Sequence, residues 1–251
     1  MNTITRSLEI YRDEGLFELA DSLTDFVSSR IRDEWLRYVY KQQYGALAPQ
    51  PNEILWVDPQ HIEYSTSASK MFDEDRTYPR FGILDGDWDT HKYRWRDSRL
   101  WSGLCERFED GNAWEETTYY QFSIERLEAG DPLPYLDGPN TRQHLWEYLD
   151  ALDALYEDIQ TNGYDPSSAI IVHLGRNGEW IVGQGNHRRT IASIVGVDAI
   201  PVRIRFRHRK WQDIRRAFYD ADSTDEIRHL DEHLHHPDTP EVSHPEVPDV
   251  Q

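Results

Sequence analysis

Residues 169–206, AIIVHLGRNGEWIVGQGNHRRTIASIVGVDAIPVRIRF, constrain local structure more than any other stretch of the 251-residue chain. AIIVHL and EWIV are short apolar runs separated by Asn177-Gly178, a dipeptide suited to a tight hairpin with both central residues at positive φ. GQGN then makes a turn, HRRTIASIV forms a short helix that Gly196 ends, and AIPVRIRF returns as a strand. In that strand Ile200, Val202, Ile204 and Phe206 take one face and Arg203, Arg205 and Arg207 the other, because side chains alternate along extended backbone. Hairpin, helix and strand in direct succession exclude an all-helical or all-β fold and predict an α+β domain.

The rest of the chain is organised around that block. From Asn140, which with Gln143 resembles a capping box, the residues Leu145, Tyr148, Leu149, Leu152, Leu155, Tyr156 and Ile159 trace one helix face until Gly163. ILWVDPQHIEY at 54–64 reads as a strand entering a turn. Residues 7–44 place Leu16, Leu19, Leu23, Phe26, Val27, Ile31, Trp35 and Val39 near a 3.6-residue period, which predicts an amphipathic helical segment whose apolar face packs on the protein itself, on a partner chain or on a membrane surface. Three regions are therefore expected: a helical N-terminal extension at 1–50, a main domain at 51–218 carrying a large insertion at about 65–140, and a polar, disordered tail at 219–251.

Composition narrows the partners. Twenty-six Asp and twenty Glu face four Lys and twenty-three Arg, a net charge of −19, which reads as halophilic and repels polyanions at low salt. In molar salt the Debye length falls to about 3 Å, so local clusters decide binding. Such a cluster exists: residues 176–216 hold ten Lys and Arg against three acids, a net of +7. No apolar run approaches the roughly 18 residues of a membrane span, and MNTITRSLEIYRDEG lacks the basic-then-apolar order of a signal segment, so a cytoplasmic protein is expected. The single cysteine, Cys105, excludes an internal disulfide and a cysteine-based zinc site.

Two constellations carry chemistry. In the first, Gly183 and Gly185 allow close backbone approach to a ligand, and a helix starts directly after them, so its amides and dipole favour an anion. Asn186 lies in that turn, Arg188 and Arg189 can hold phosphate oxygens, and His187 can donate a hydrogen bond or move a proton. A Gly-rich turn whose arginines face water is the simpler reading of the same residues. In the second, Asp85, Asp87 and Asp89 stand at alternate positions of ILDGDWDTHKYRW, where they could hold Mg²⁺ on a nucleotide, with Asp87 as a general base; the spacing lacks the flanking Gly and Glu of a Ca²⁺ loop, and an exposed acidic loop is the simpler reading. The arginines at 203, 205, 207 and 209 could instead track a nucleic acid backbone without sequence preference, or pair with the acidic remainder of the chain.

The order helix, strand, Asn-Gly hairpin, strand, Gly-x-His-Arg turn, helix and strand resembles the ParB/sulfiredoxin-like fold. The resemblance covers residues 142–207, with ILWVDPQHI at 54–62 as a further strand of that domain. It implies that Gly185, Asn186, His187 and Arg188 form a phosphate-binding box for a nucleotide such as ATP, ADP or CTP with Mg²⁺. Where sulfiredoxin carries its catalytic cysteine this chain has Asn186, which argues against sulfinic acid reduction. ParB partition proteins have Glu there and a following helix-turn-helix, for which the residues after Phe206 leave no room. The function this implies is nucleotide binding, with phosphoryl transfer to an unknown acceptor or nucleotide hydrolysis. A nucleic-acid-binding protein or nuclease, and a nucleotide-gated interaction module without catalysis, are the alternatives.

Overall fold

The computed structural model describes residues 16–66, 79–133 and 139–240, with side chains from Arg30 onward. It is a mixed α and β protein, as expected. The chain packs as two units, Met1–Pro51 with Tyr78–Gly82 and Asn52–Thr77 with Ile83–Gln251. Among the described residues no helix is long and apolar enough to cross a membrane.

The first unit is built on one helix, α1 (Leu16–Tyr44). Tyr40 packs against Phe81 at 6.1 Å and Tyr44 at 6.2 Å, and the neighbouring Asp33, Leu36 and Arg37 are half-buried. Of the apolar stripe read from the sequence, Ile31 and Trp35 are exposed and Val39 is half-buried, while the side chains from Leu16 to Val27 lie outside the described residues. Helical period alone does not say which of two apolar stripes meets the protein, and the aromatic stripe wins here.

The larger unit contains a sheet in the order β1 (Ile54–Val57), β7 (Ile200–His208), β5 (Ile170–Leu174), β6 (Trp180–Gln184), β2 (Tyr64–Ser65) and β4 (Tyr93–Arg94). A further strand, β3 (Gly82–Leu84), pairs with β7. β5 and β7 run parallel, β1 is antiparallel to β7, and β6 is antiparallel to β5 but parallel to β2. β5 supplies the near-continuous apolar run IIVHL that a central strand needs, while β7 alternates, burying Ile200, Val202, Ile204 and Phe206 and leaving Arg203 and Arg205 half-buried.

Four helices accompany the sheet: α2 (Arg99–Phe108), α3 (Thr118–Ala129), α4 (Arg142–Asn162) and α5 (Asn186–Val195), followed after β7 by α6 (Arg209–Asp220). Residues expected to form an insertion are part of the core. Trp95, Leu100, Leu104, Trp114 and Tyr119 pack with Leu145, Leu149 and Ile191 in one cluster. α5 joins this cluster through Ile191 and the sheet core through Ala192, so its start is held from two sides.

Three local expectations are corrected. The cap of α4 is Thr141, whose hydroxyl accepts from the His144 amide, while Gln143 bonds Glu147. At the β5–β6 hairpin only Gly178 has positive φ (80°); Gly178 N–H donates to Gly175 O and Gly175 N–H to Glu179 O. The loop holds Arg176, Asn177 and Gly178, one residue more than a two-residue turn, and so needs a single left-handed position. Finally, residues 219–240 are not disordered: Ala221, Ile227, His233 and Asp238 are buried, and His236 stacks on Trp180 at 4.9 Å. The remaining tail, 241–251, lies outside the described residues.

Candidate functional site

β6 delivers the chain to Gly185, whose φ of 102° turns it into α5. A Cβ here would lie 2.5 Å from Ile170 Cγ2, and one at Gly183 would lie 2.7 Å from His173 Nε2. Packing thus favours both glycines, and the turn requires Gly185 as well, which places a reason for them inside the protein rather than in a ligand alone.

The first intrahelical bond of α5 runs from Arg189 N–H to Gly185 O at 3.0 Å. No side chain caps the amides that precede it. This sets α5 apart from α2, α3, α4 and α6, whose starts are capped by Ser98, Thr117, Thr141 and His208. Asn186, of a type suited to capping, is instead turned to β2, donating to Ser65 Oγ at 2.7 Å, and its own Oδ1 is buried without a hydrogen bond. Thr190 closes the first turn by donating to Asn186 O and accepting from Trp95 Nε1, both within 2.8 Å.

His187 is half-buried with Nε2 2.7 Å from the Tyr148 hydroxyl. Burial, aided by the Arg188 charge, lowers its pKa to about 4, so the imidazole is neutral at pH 7. Where Tyr148 donates to Nε2, the ring proton sits on Nδ1. Arg188 is also half-buried, and its Nη1 donates to Ser168 O at 2.6 Å. Arg189, expected beside Arg188 as a holder of phosphate oxygens, is instead buried: it is 1% exposed, bonds Ile62 O at 2.6 Å and lies over the Trp95 ring. Among the described residues its Nε and Nη2 have no hydrogen-bond partner, and burial pulls its pKa down to about 9. A buried arginine with two idle donors and no carboxylate partner among the described residues leaves its positive charge only partly compensated, by Ile62 O and the Trp95 ring.

The acidic loop is a different kind of site. Asp89 is fully buried and takes Arg176 through its backbone N–H at 2.8 Å and its guanidinium at 2.7 Å. Those hydrogen bonds outweigh the desolvation that pushes the carboxyl the other way and hold its pKa below the usual range. Asp87 pairs with the same Arg176 at 2.9 Å, and Asp85 with Arg209 at 2.9 Å. The three carboxylates are spoken for by arginines. Among the described residues no group of three or more His, Cys, Asp or Glu converges as a metal site, so Asp85, Asp87 and Asp89 do not fit a Mg²⁺ centre. Asp87 is held from the hairpin by Arg176, whereas His187 bonds Tyr148, and among the described residues no hydrogen bond or ion pair links the two. The expected pairing of His187 with Asp87 is not assembled.

The basic face is likewise reduced. Arg207 is 1% exposed and shares Asp238 and Glu53, while Arg203 and Arg205 are half-buried and Arg209 is exposed. Asp238 also accepts from Trp211 Nε1 at 2.8 Å. Sequence reasoning missed Tyr148, Ser65, Ser168 and Arg176 as partners of the candidate residues. Only Tyr148 left a signal, by lying on the α4 stripe that faces α5. A cavity of about 490 Å³ lined by His61, Glu63, Glu179, Trp180 and His235 includes none of the candidate residues. Compared with protein-family models, with curated proteins and with solved structures, the chain matches none.

Proposed function

We propose that this protein binds the phosphates of a nucleotide at the turn from Gly183 to Arg188. The observation that carries this reading is the uncapped start of α5, the only one among the described helices α2 to α6 that no side chain satisfies, together with the buried charge of Arg189. Free amides, a helix dipole and two guanidinium groups together make an anion site. The resemblance of WIVGQGNHRRTIASIVGVDAIPVRI to ParB/sulfiredoxin-like domains supports a nucleotide as the anion. His187, neutral at pH 7, would donate Nδ1–H to a phosphate oxygen or accept a proton during phosphoryl transfer. Any Mg²⁺ would arrive on the phosphates rather than on the aspartate loop.

The test is calorimetric titration of ATP, ADP, CTP and pyrophosphate with Mg²⁺ into wild type and Arg188→Ala at molar salt. Wild type should bind one nucleotide best, and the variant should lose about ten- to hundred-fold, the worth of a charge-assisted contact of roughly 1.5–3 kcal/mol. Melting curves control for the lost bond to Ser168 O. Equal affinities, or no binding by wild type, would make the turn purely structural.

A further inference from the structure

α1 presents an apolar stripe that its own unit does not use. Ile31, Trp35 and Tyr38 follow one another in steps of four and three residues, on one helix face, and are 66%, 62% and 64% exposed. Singly exposed apolar residues are ordinary, but a row of them along one helix marks a contact surface. Carrying the same steps back along α1 meets Val27, Leu23, Leu19 and Leu16 in the sequence. At 1.5 Å per residue the 29-residue helix is about 43 Å long, enough for an extended helix-to-helix contact.

The charges on α1 say what would lie against it. Residues 16–29 contain Glu18, Asp21 and Asp25 and no Lys or Arg; residues 30–44 contain Arg30, Arg32, Arg37 and Lys41 against Asp33 and Glu34. One half is net −3 and the other net +2. A second copy laid antiparallel sets each acidic half on a basic half and opposes the helix dipoles, whereas a parallel copy sets like on like. The contact is self-complementary about a two-fold axis, as a closed dimer requires.

We propose that α1 mediates an antiparallel homodimer through the stripe Ile31, Trp35 and Tyr38. Because the whole chain carries −19, the assembly tightens as salt screens the repulsion between copies, while the apolar contact persists.

Sedimentation velocity on the full chain at about 50 μM and about 2 M KCl should give twice the chain mass, since an association is concentration-dependent. Ile31→Glu with Trp35→Glu should sediment at the chain mass with unchanged far-ultraviolet circular dichroism, because both side chains are exposed. Orientation is read by cross-linking in a Cys105→Ser background. Copies with Glu18→Cys mixed with copies with Gln42→Cys should form mixed disulfides, while each alone should form few. A monomeric wild type overturns the proposal, as does a dimer that survives the double substitution or homotypic cross-links at residue 18. Recruitment of the monomer to phosphatidylglycerol vesicles, lost in the double variant, would reassign the stripe to a membrane surface.

Discussion

The two ends of strand β6 treat charge in opposite ways. At the hairpin end the cations are matched: Arg176 by Asp87 and Asp89, Arg207 by Glu53 and Asp238, Arg215 by Asp238. At the α5 end donors exceed acceptors: Arg189 keeps two idle donors, and the helix start has no cap. A buried polar network that is fully paired serves the fold, and one left incomplete costs stability unless something outside the chain completes it. Charge density along the sequence does not distinguish these cases, because it is high at both ends.

The largest effect should come from breaking the closed end. Asp238→Ala leaves Arg207 and Arg215 buried without their shared carboxylate and should lower unfolding free energy by about 3–5 kcal/mol in urea titrations. A loss below about 1 kcal/mol would mean that the tail lies on the surface rather than holding it.

An intermediate effect is expected from acid. His236 accepts from Asp238 N–H through Nδ1, is held to Gly178 O through Nε2, and has its pKa lowered to about 4, chiefly by burial. A histidine whose folded pKa is depressed contributes stability that is complete above the unfolded value near 6.5 and lost as pH falls toward the folded one. Tryptophan emission, which includes that of Trp180 and Trp211, should therefore change between pH 6.5 and 4 before the rest of the fold melts. A single transition shared with far-ultraviolet dichroism would show that residues 233–240 do not release separately.

The smallest change in stability should come from the open end. Arg189→Met removes a buried, only partly compensated cation and keeps the side chain's length, so unfolding free energy should stay within about 1 kcal/mol of wild type or rise. The same variant should bind nucleotide more weakly. A large destabilisation with unchanged binding would reverse the contrast between the two ends.

How much of this was legible followed the range of the interactions. β5, β6, α5 and β7 are specified by local period and by glycines at Gly178, Gly185 and Gly196, and their order was readable. The α4 face was readable for the same reason, and it carried Tyr148 to His187 unnoticed. The aspartate loop was misread because nothing near residues 85–89 reveals that Arg176 closes over it from the hairpin. Residues 219–240 looked solvated because Asp, His and Pro dominate them; Asp238 becomes a core residue only through Arg207 and Trp211, distant in sequence. The stripe on α1 was visible, but its direction depends on Phe81.

The pairing of β1 with β7, Leu55 opposite Val202, and of β2 with β6, Tyr64 opposite Ile181, also sets an order of events during synthesis. On a ribosome adding about 5–20 residues per second, β1 waits on the order of ten seconds for its partner. Meanwhile α2, α3 and α4 can pack on one another through neighbouring segments, which makes the helical cluster the natural first structure and the sheet the last. The unpaired β1 and β2 are edges open to intermolecular pairing in that interval. The C-terminal third of the chain, by closing β7 and β6 onto them, ends the nascent chain's exposure to aggregation.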